Sequence, residues 1–403
     1  MKKVTAVLGL ALLATIPLSA TAQDVKPIRI GEVNSYSGAL AAFTAGYRKG
    51  FDLAVENVNG DGGVLGRPLE VIYRDDNLSP ADAVRVANEL VSNQGVDLLA
   101  GTYLSPSGLA IANYADRRKV FFVATEPLSN AVTWSKGSRF VFRVQTPSLL
   151  LATALAVQAK GLQCTKWAGT GPMSEAVTDM VRDFQAELRK THPDLVWADD
   201  SMAPVGRFNA GATIEHLQRL GVDCVFSAHV GPDMISFLRE SKARGFYDKV
   251  KVVSVQAGLP EWLNSFGSEA PTGWITNGLP YDEIDTPPMR DFVAKYRAKY
   301  NEEPIYGAFL AYLSVEGIAS GIKRAGSTNV EDLIKGFRGD DFDCVLGKCR
   351  WRVDHQLSLG AWVGSIAGAE GKAKMIGWRY ISGDEGLPSE ADGLAMRPAA
   401  ANN

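Results

Sequence analysis

From residue 28 onward the chain alternates two spacings of apolar residues. Residues 28–33 (IRIGEV) read as a strand. Phe43, Tyr47, Phe51, Ala54, Val55 and Val58 then recur at helical spacing, with Arg48, Lys49, Asp52 and Glu56 on the other faces. The glycine-rich turn at 59–63 stops that helix. Strands follow at 69–73, 96–100 and 120–124, separated by helices at 81–92 and 106–117. The alternation then restarts, with helices at 148–160, 174–190, 209–220 and 233–244 between strands at 165–169, 196–202, 222–227 and 250–255. Strands alternating with helices predict parallel sheets covered on both faces, here an α/β protein with two doubly wound sheets. The last third is less regular. It offers long helices at 287–300 and 306–323 and a strand pair at 361–366 and 373–380. Residues 383–403 are small and polar and read as a disordered tail.

Composition supports two units. A 403-residue chain that is 46% hydrophobic is long enough to split into two cores. The formal net charge is −3 with no basic stripe, so nucleic acid is not an expected partner. The N-terminus pairs Lys2 and Lys3 with an apolar stretch over 4–18 and an Ala20-Thr21-Ala22 site. That is the layout of a cleaved secretory signal over residues 1–22, because the apolar stretch is shorter than the roughly 20 residues of a membrane span. Export permits disulfides, and four cysteines allow three pairings. Cys344 and Cys349 flank a hairpin tip, and Cys164 and Cys224 each begin a strand, so 344–349 with 164–224 is preferred. A metal site is not expected: no CxxC occurs, and His192, His216, His229 and His355 are scattered. Asn57, Asn59, Asp61 and Gly62 imitate a calcium loop, but its twelfth position is Pro68 rather than Glu.

The turn GTYLSPSG, residues 101–108, carries the most chemistry. A nucleophile elbow needs G-x-S-x-G, and neither Ser105 nor Ser107 has glycine on both sides, so an enzyme is not expected. Ser105-Pro106 instead reads as an N-cap followed by proline at the first helical position. The free amides beyond it face the positive end of a helix dipole and suit a ligand oxygen. Other strand ends, at 34–38, 124–130, 227–231 and 254–258, are also rich in small hydroxyl and polar residues. Two sheets whose strand ends face each other would form a cleft for a small molecule.

The run SGALAAFTAGYRKGFDLAVENVNGDGGVLGRPLEVIYRDDNLSPADAVRVANEL, with its N-x-x-G-G-x-x-G-R-x-L turn and Asp75-Asp76, resembles the periplasmic solute-binding proteins of branched-chain amino acid ABC transporters. The likeness spans residues 26–380. It implies a type I periplasmic binding protein: a monomeric, cofactor-free receptor whose two lobes close on a small-molecule ligand and dock on ABC permease subunits. Lobe 1 would be 24–144 plus 280–355 and lobe 2 145–278 plus 358–380, with crossovers near 143–146, 277–281 and 354–359. By resemblance, Ser105 grips a ligand carboxylate, and Ser129 and the backbone at Leu128 support it. Phe43 packs on the ligand, and Tyr103 lines the pocket. Leu104, Glu126, His229, Tyr281 and Tyr306 complete the expected lining. Gln256 stands where amino-acid binders place a glutamate for the ligand ammonium, and Val230 replaces a tyrosine. These departures predict a small acid or amide without an α-ammonium group, or a ligand whose ammonium is held differently. A ligand-sensing regulator of the same fold is the alternative function.

Overall fold

The computed structural model describes residues 25–369 and 371–402, so the expected signal over 1–22 lies outside the described residues. The first sheet contains β1 (Ile28–Asn34), β2 (Leu69–Asp75), β3 (Leu98–Gly101), β4 (Phe122–Ala124) and β5 (Val141–Arg143). They are joined through α1 (Ala41–Gly60), α2 (Pro80–Ser92) and α3 (Ser105–Arg118). All pairings are parallel, in the order β2-β1-β3-β4-β5. Strand β3 is buried along its whole length, as a central strand covered on both faces requires. Ser79 caps α2 through Asp82 N, and Pro80 follows it.

The chain then enters a second sheet through α4 (Ser148–Ala159). The next elements are β6 (Lys166–Pro172), α5 (Glu175–Arg189), β7 (Val196–Trp197), β8 (Ser201–Ala203), α6 (Ala210–Leu220) and β9 (Cys224–Ser227). After them come α7 (Gly231–Ala243), β10 (Lys251–Gly258), α8 (Pro260–Phe266) and β11 (Ile275–Gly278). Helix α5 shows the pattern that drives this assembly: Val177, Met180, Val181, Phe184 and Leu188 form its buried stripe. The segment expected as one strand at 196–202 is split into β7 and β8, both pairing with β6.

Helices α9 (Pro287–Tyr300), α10 (Tyr306–Ala325) and α11 (Val330–Phe337) return the chain to the first lobe, where α10 packs on α1. The hairpin β12 (Asp340–Cys344) and β13 (Gly347–Trp351) follows. Strands β14 (Ala361–Ala369) and β15 (Lys372–Ile381) then extend the second sheet antiparallel, giving β15-β14-β11-β10-β9-β6-β7. The parallel part of each sheet has the same order, with switch points between β1 and β3 and between β6 and β9, the places where such sheets bind ligands. Passages between lobes are bonded to each other: Arg143 N donates to His355 O, and Leu357 N donates to Arg143 O.

Cysteine pairs form as preferred, Cys164–Cys224 and Cys344–Cys349, each with Cα atoms 5.9 Å apart. Asp223 lies beside Cys164 and Cys224, but both thiols are consumed by the disulfide. Among the described residues no helix is long and apolar enough to cross a membrane.

The tail departs from its expectation. Residues 383–402 form α12 (Gly383–Gly386), α13 (Glu390–Ala395) and a final 3-10 turn, rather than a disordered segment. Leu387 joins the core of the second lobe, and Arg397 is 5% exposed. Its guanidinium donates to Thr133 O, Asp354 O, Ser138 O and Ala401 O at 2.6–3.1 Å. The composition misleads because the segment is anchored by one buried cation among carbonyls, not by an apolar stripe.

Candidate functional site

Three turns at the carboxyl ends of β1, β3 and β4 build the first-lobe face. Beyond β3, Gly101 takes φ +110° and Thr102 φ +67°. A Cβ on Gly101 would lie 2.4 Å from Glu32 Oε1 and from Val33 O, so only glycine fits. Thr102 is β-branched and left-handed, a strained arrangement of the kind that collects at functional sites.

Helix α3 starts at Ser105, but the cap residue is Leu104, and Pro106 follows one position later than expected. The reason is that the Ser105 hydroxyl turns away from its own helix. Its Oγ accepts from Leu128 N and Ser129 N, both at 3.1 Å, tying the β4 turn to the β3 turn. The hydroxyl proton is left to donate outward. Ser129 Oγ accepts from Ala131 N at 3.3 Å and is almost fully buried, so it caps the short turn behind the site. Ser105→Ala is therefore expected to strand two amides and to destabilise the fold by about 1–3 kcal/mol. Urea unfolding checks this, and an unchanged midpoint contradicts it.

Glu126, 8% exposed, sits at the end of β4 and accepts from Asn34 Nδ2 at 3.3 Å. Burial raises its pKa to about 8; the Asn34 bond opposes this and the charge of Glu261 adds to it. Glu261 comes from the other lobe, in the first turn of α8. Its Oε2 accepts from Tyr306 N at 3.1 Å, at the start of α10, and burial lifts its pKa to about 7 against the pull of backbone bonds. Tyr306 donates through its hydroxyl to Gln145 Oε1 at 2.8 Å. Burial, then the charges of Glu126 and Glu261, push the Tyr103 phenol upward, and its hydroxyl has no hydrogen-bond partner among the described residues. Phe43 of α1 meets Trp262 of α8 with ring centroids 4.7 Å apart. The cluster therefore joins both lobes.

Other expected residues lie outside it. His229 is buried in the second lobe, with Nε2 3.0 Å from Thr170 Oγ1 and its ring on Phe208. Burial holds its pKa down to about 4, so it is neutral. Tyr281 donates to Glu303 at 2.8 Å and lies under Arg297, in an ion-pair cluster on the outside of the crossover. Gln256 adopts φ +61°, with its amide N bonded to Asn277 Oδ1 and its side chain unpartnered among the described residues. Leu104 serves as a cap, and Leu128 contributes its amide. Sequence reasoning missed Glu261, Trp262, Asn34 and Gln145. The signal for the first two was present: Leu259-Pro260-Glu261-Trp262 repeats the strand-end-then-proline layout of Leu104-Ser105-Pro106.

Raised carboxyls fix a pH dependence. Glu32, fully buried and bonded to the Tyr36 hydroxyl, is held well above its usual value by burial, and Glu316 of α10 is raised to about 8 by burial. With Glu126 and Glu261 these groups keep protons in the folded state that the unfolded chain has already lost. Stability is full below the unfolded carboxylate pKa and declines as pH rises through the folded values. Buried His229 and His355, both depressed, oppose this only below about pH 7, where unfolded histidine gains protons. The melting temperature is expected to fall between pH 7 and 8.5, and Glu126→Gln to flatten the fall. A rise over that interval contradicts it.

The comparisons agree with this architecture. The family described as periplasmic binding protein matches residues 27–372, and the chain belongs to that family. The leucine-specific-binding protein of Salmonella typhimurium is 24% identical over 352 residues, covering 87% of this chain and 92% of that protein. An amino acid ABC transporter substrate-binding protein from Pseudomonas fluorescens superposes with a TM-score of 0.80 at 21% identity, covering 91% of this chain and 98% of that one. A solute-binding protein of an ABC transporter from Rhodopseudomonas palustris, in complex with p-hydroxybenzoic acid, also gives 0.80 at 21% identity, covering 90% and 99%. The chain is thus a periplasmic binding protein by family, with the two-lobed α/β fold of these structural neighbours.

Proposed function

We propose that the protein is exported to the periplasm, captures a small polar molecule between its lobes as a monomer without a cofactor, and delivers it to an ABC permease. The lobes are 24–144 plus 280–355 and 145–278 plus 358–380, with the three crossovers named above as the hinge. One observation carries the reading: Tyr103, Ser105 and Glu126 of one lobe converge with Glu261 and Trp262 of the other around groups that lack partners. The relatives' names, a leucine-specific-binding protein and a hydroxybenzoate complex, support a small organic ligand. Contacts from such a ligand to both faces would favour the closed arrangement by population shift.

Fractionating cells that express the full chain tests the location. Mature protein starting at Gln23, in the periplasmic fraction and without free thiols, is expected. Full-length protein in the cytoplasm would contradict the proposal.

A further inference from the structure

We propose that the C-terminal tail is a fourth passage between the lobes, a strap that stiffens the hinge and limits how far the cleft opens. The proposal goes beyond the receptor reading, because it concerns the movement of the lobes whatever the ligand is. The family match ends at residue 372, so the segment that follows β15 lies outside it.

The strap has an anchor on each side of one peptide bond. On the second-lobe side, α12 follows β15 directly, and Leu387 packs into the core with Leu150, Val363 and Ile381. A Cβ on Gly386 would stand 3.0–3.1 Å from Leu150 and Ile381, so the helix lies flush on that core. The next residue is held by the first lobe: Arg352, just after β13, donates through Nη2 to Pro388 O at 2.6 Å. Arg350 Nε and Val353 N donate to Glu390 Oε1 at 3.3 and 3.4 Å. Arg397 then holds Thr133 O and Ser138 O, and Arg338 Nη1 donates to Asn402 O at 3.1 Å. No residue separates Leu387 from Pro388, so the passage has no slack. The joint is also stiff. Proline fixes its own φ and keeps the preceding residue extended, and Leu387 has φ −82° and ψ 153°.

The tail also grips the neighbouring crossover. Arg352 and Asp354 form a buried ion pair at 3.0 Å, and a Cβ on Gly393 would stand 2.1 Å from Asp354 Oδ2. Only a residue without a side chain permits so close an approach. Arg397 donates to Asp354 O at 2.9 Å. From the second-lobe side, a Cβ on Gly383 would stand 2.4 Å from Ser358 O. The tail therefore holds residues 354–358 at both ends, and a rotation there must bend the Leu387–Pro388 joint at the same time. In this structure the lobes meet through Phe43 and Trp262 and through Tyr306 N and Glu261. The strap keeps the ligand-free protein near that arrangement. A larger fraction in the binding-competent state tightens apparent affinity.

Spin labels measure the opening without a ligand. All four native cysteines are paired, so Ser37→Cys and Val205→Cys, exposed beyond β1 and β8, take the labels specifically. Double electron–electron resonance compares the labelled mature chain with a variant carrying six Gly/Ser residues inserted between Leu387 and Pro388. The insertion keeps every anchor and adds about 13 Å of slack, and flexible insertions of this kind cost little stability. The parent should give one narrow distance distribution. The variant should give a broader one, longer by about 5 Å or more, within the slack supplied. Pro388→Gly, which leaves the carbonyl held by Arg352 in place, should broaden the distribution by less. The same insertion after Gly326, which has open space around it in the first lobe, should change nothing. Distributions that superimpose in the parent and both tail variants overturn the proposal and leave the receptor reading standing. Equal broadening by the insertion after Gly326 overturns it as well.

Discussion

Arg397→Ala is expected to lower the free energy of unfolding by about 3 kcal/mol, the scale of breaking a buried charge arrangement. The guanidinium serves carbonyls from three parts of the chain: Thr133 and Ser138 between β4 and β5, Asp354 at a crossover, and Ala401 of the tail itself. Alanine leaves those acceptors in a site too enclosed for free hydration, and each buried unpaired group carries its own penalty. The position also joins lobes. The tail leaves β15 in the second lobe, contributes Leu387 to that core, passes Glu390 beside Arg350, and ends against the first lobe. Urea denaturation followed by circular dichroism measures the loss. Arg397→Lys should recover part of it by restoring charge without the planar fork. A variant as stable as the parent would show that the tail is not anchored in this way.

Gly50→Ala should be nearly as damaging and should reach the site. Gly50 lies where α1 meets α10, and its Cβ would stand 2.2 Å from Ala308 O and 2.6 Å from Ala308 Cα. The obstacle is helix backbone, which no rotamer change relieves. The helices must separate by about 1 Å, and overpacking of this kind costs about 3 kcal/mol. Ala308 is in the first turn of α10, two residues past the Tyr306 amide that receives Glu261. Separation therefore moves Tyr306 and Gly307, which lie against Glu261 and Glu126. Both a lower urea midpoint and weaker ligand binding are expected. Gly60→Ala, at the far end of the same helix with open space around it, is the control. Equal effects at positions 50 and 60 would refute the argument.

The periodic part of the fold was legible in the sequence. The run at 28–33 becomes Ile28–Asn34, and the helix at 209–220 becomes Ala210–Leu220, because both depend on local apolar spacing. The 344–349 disulfide was legible for the same reason, since a hairpin tip is local. What escaped depends on distant partners. Ser105 has the residue type and place of a cap, yet its hydroxyl serves amides 23 and 24 positions away. Glu261 looks like an ordinary acidic residue in a first helical turn, where the dipole favours it. Only the fold places it against Tyr306 of the other lobe. Arg397 sits in a composition that suggests disorder, and its role follows from carbonyls supplied more than forty residues away in sequence. The resemblance pointed to Gln256 as the residue that sets ligand choice; the structure leaves its side chain unpartnered among the described residues and puts Glu261 and Trp262 of α8 against the first lobe.

The central claim is that a small ligand sits between Ser105 and Trp262, in contact with both lobes. A thermal-shift screen of amines, amino acids, amides and carboxylic acids, run in parallel on the parent and on Ser105→Ala/Trp262→Ala, tests it most directly. At a hundredfold excess over Kd a ligand stabilises the native state by about 2.7 kcal/mol, enough to read as a shift of several degrees. The account predicts compounds that raise the melting temperature of the parent and leave that of the double variant unmoved. Compounds that shift both proteins equally would place the binding site elsewhere and contradict it.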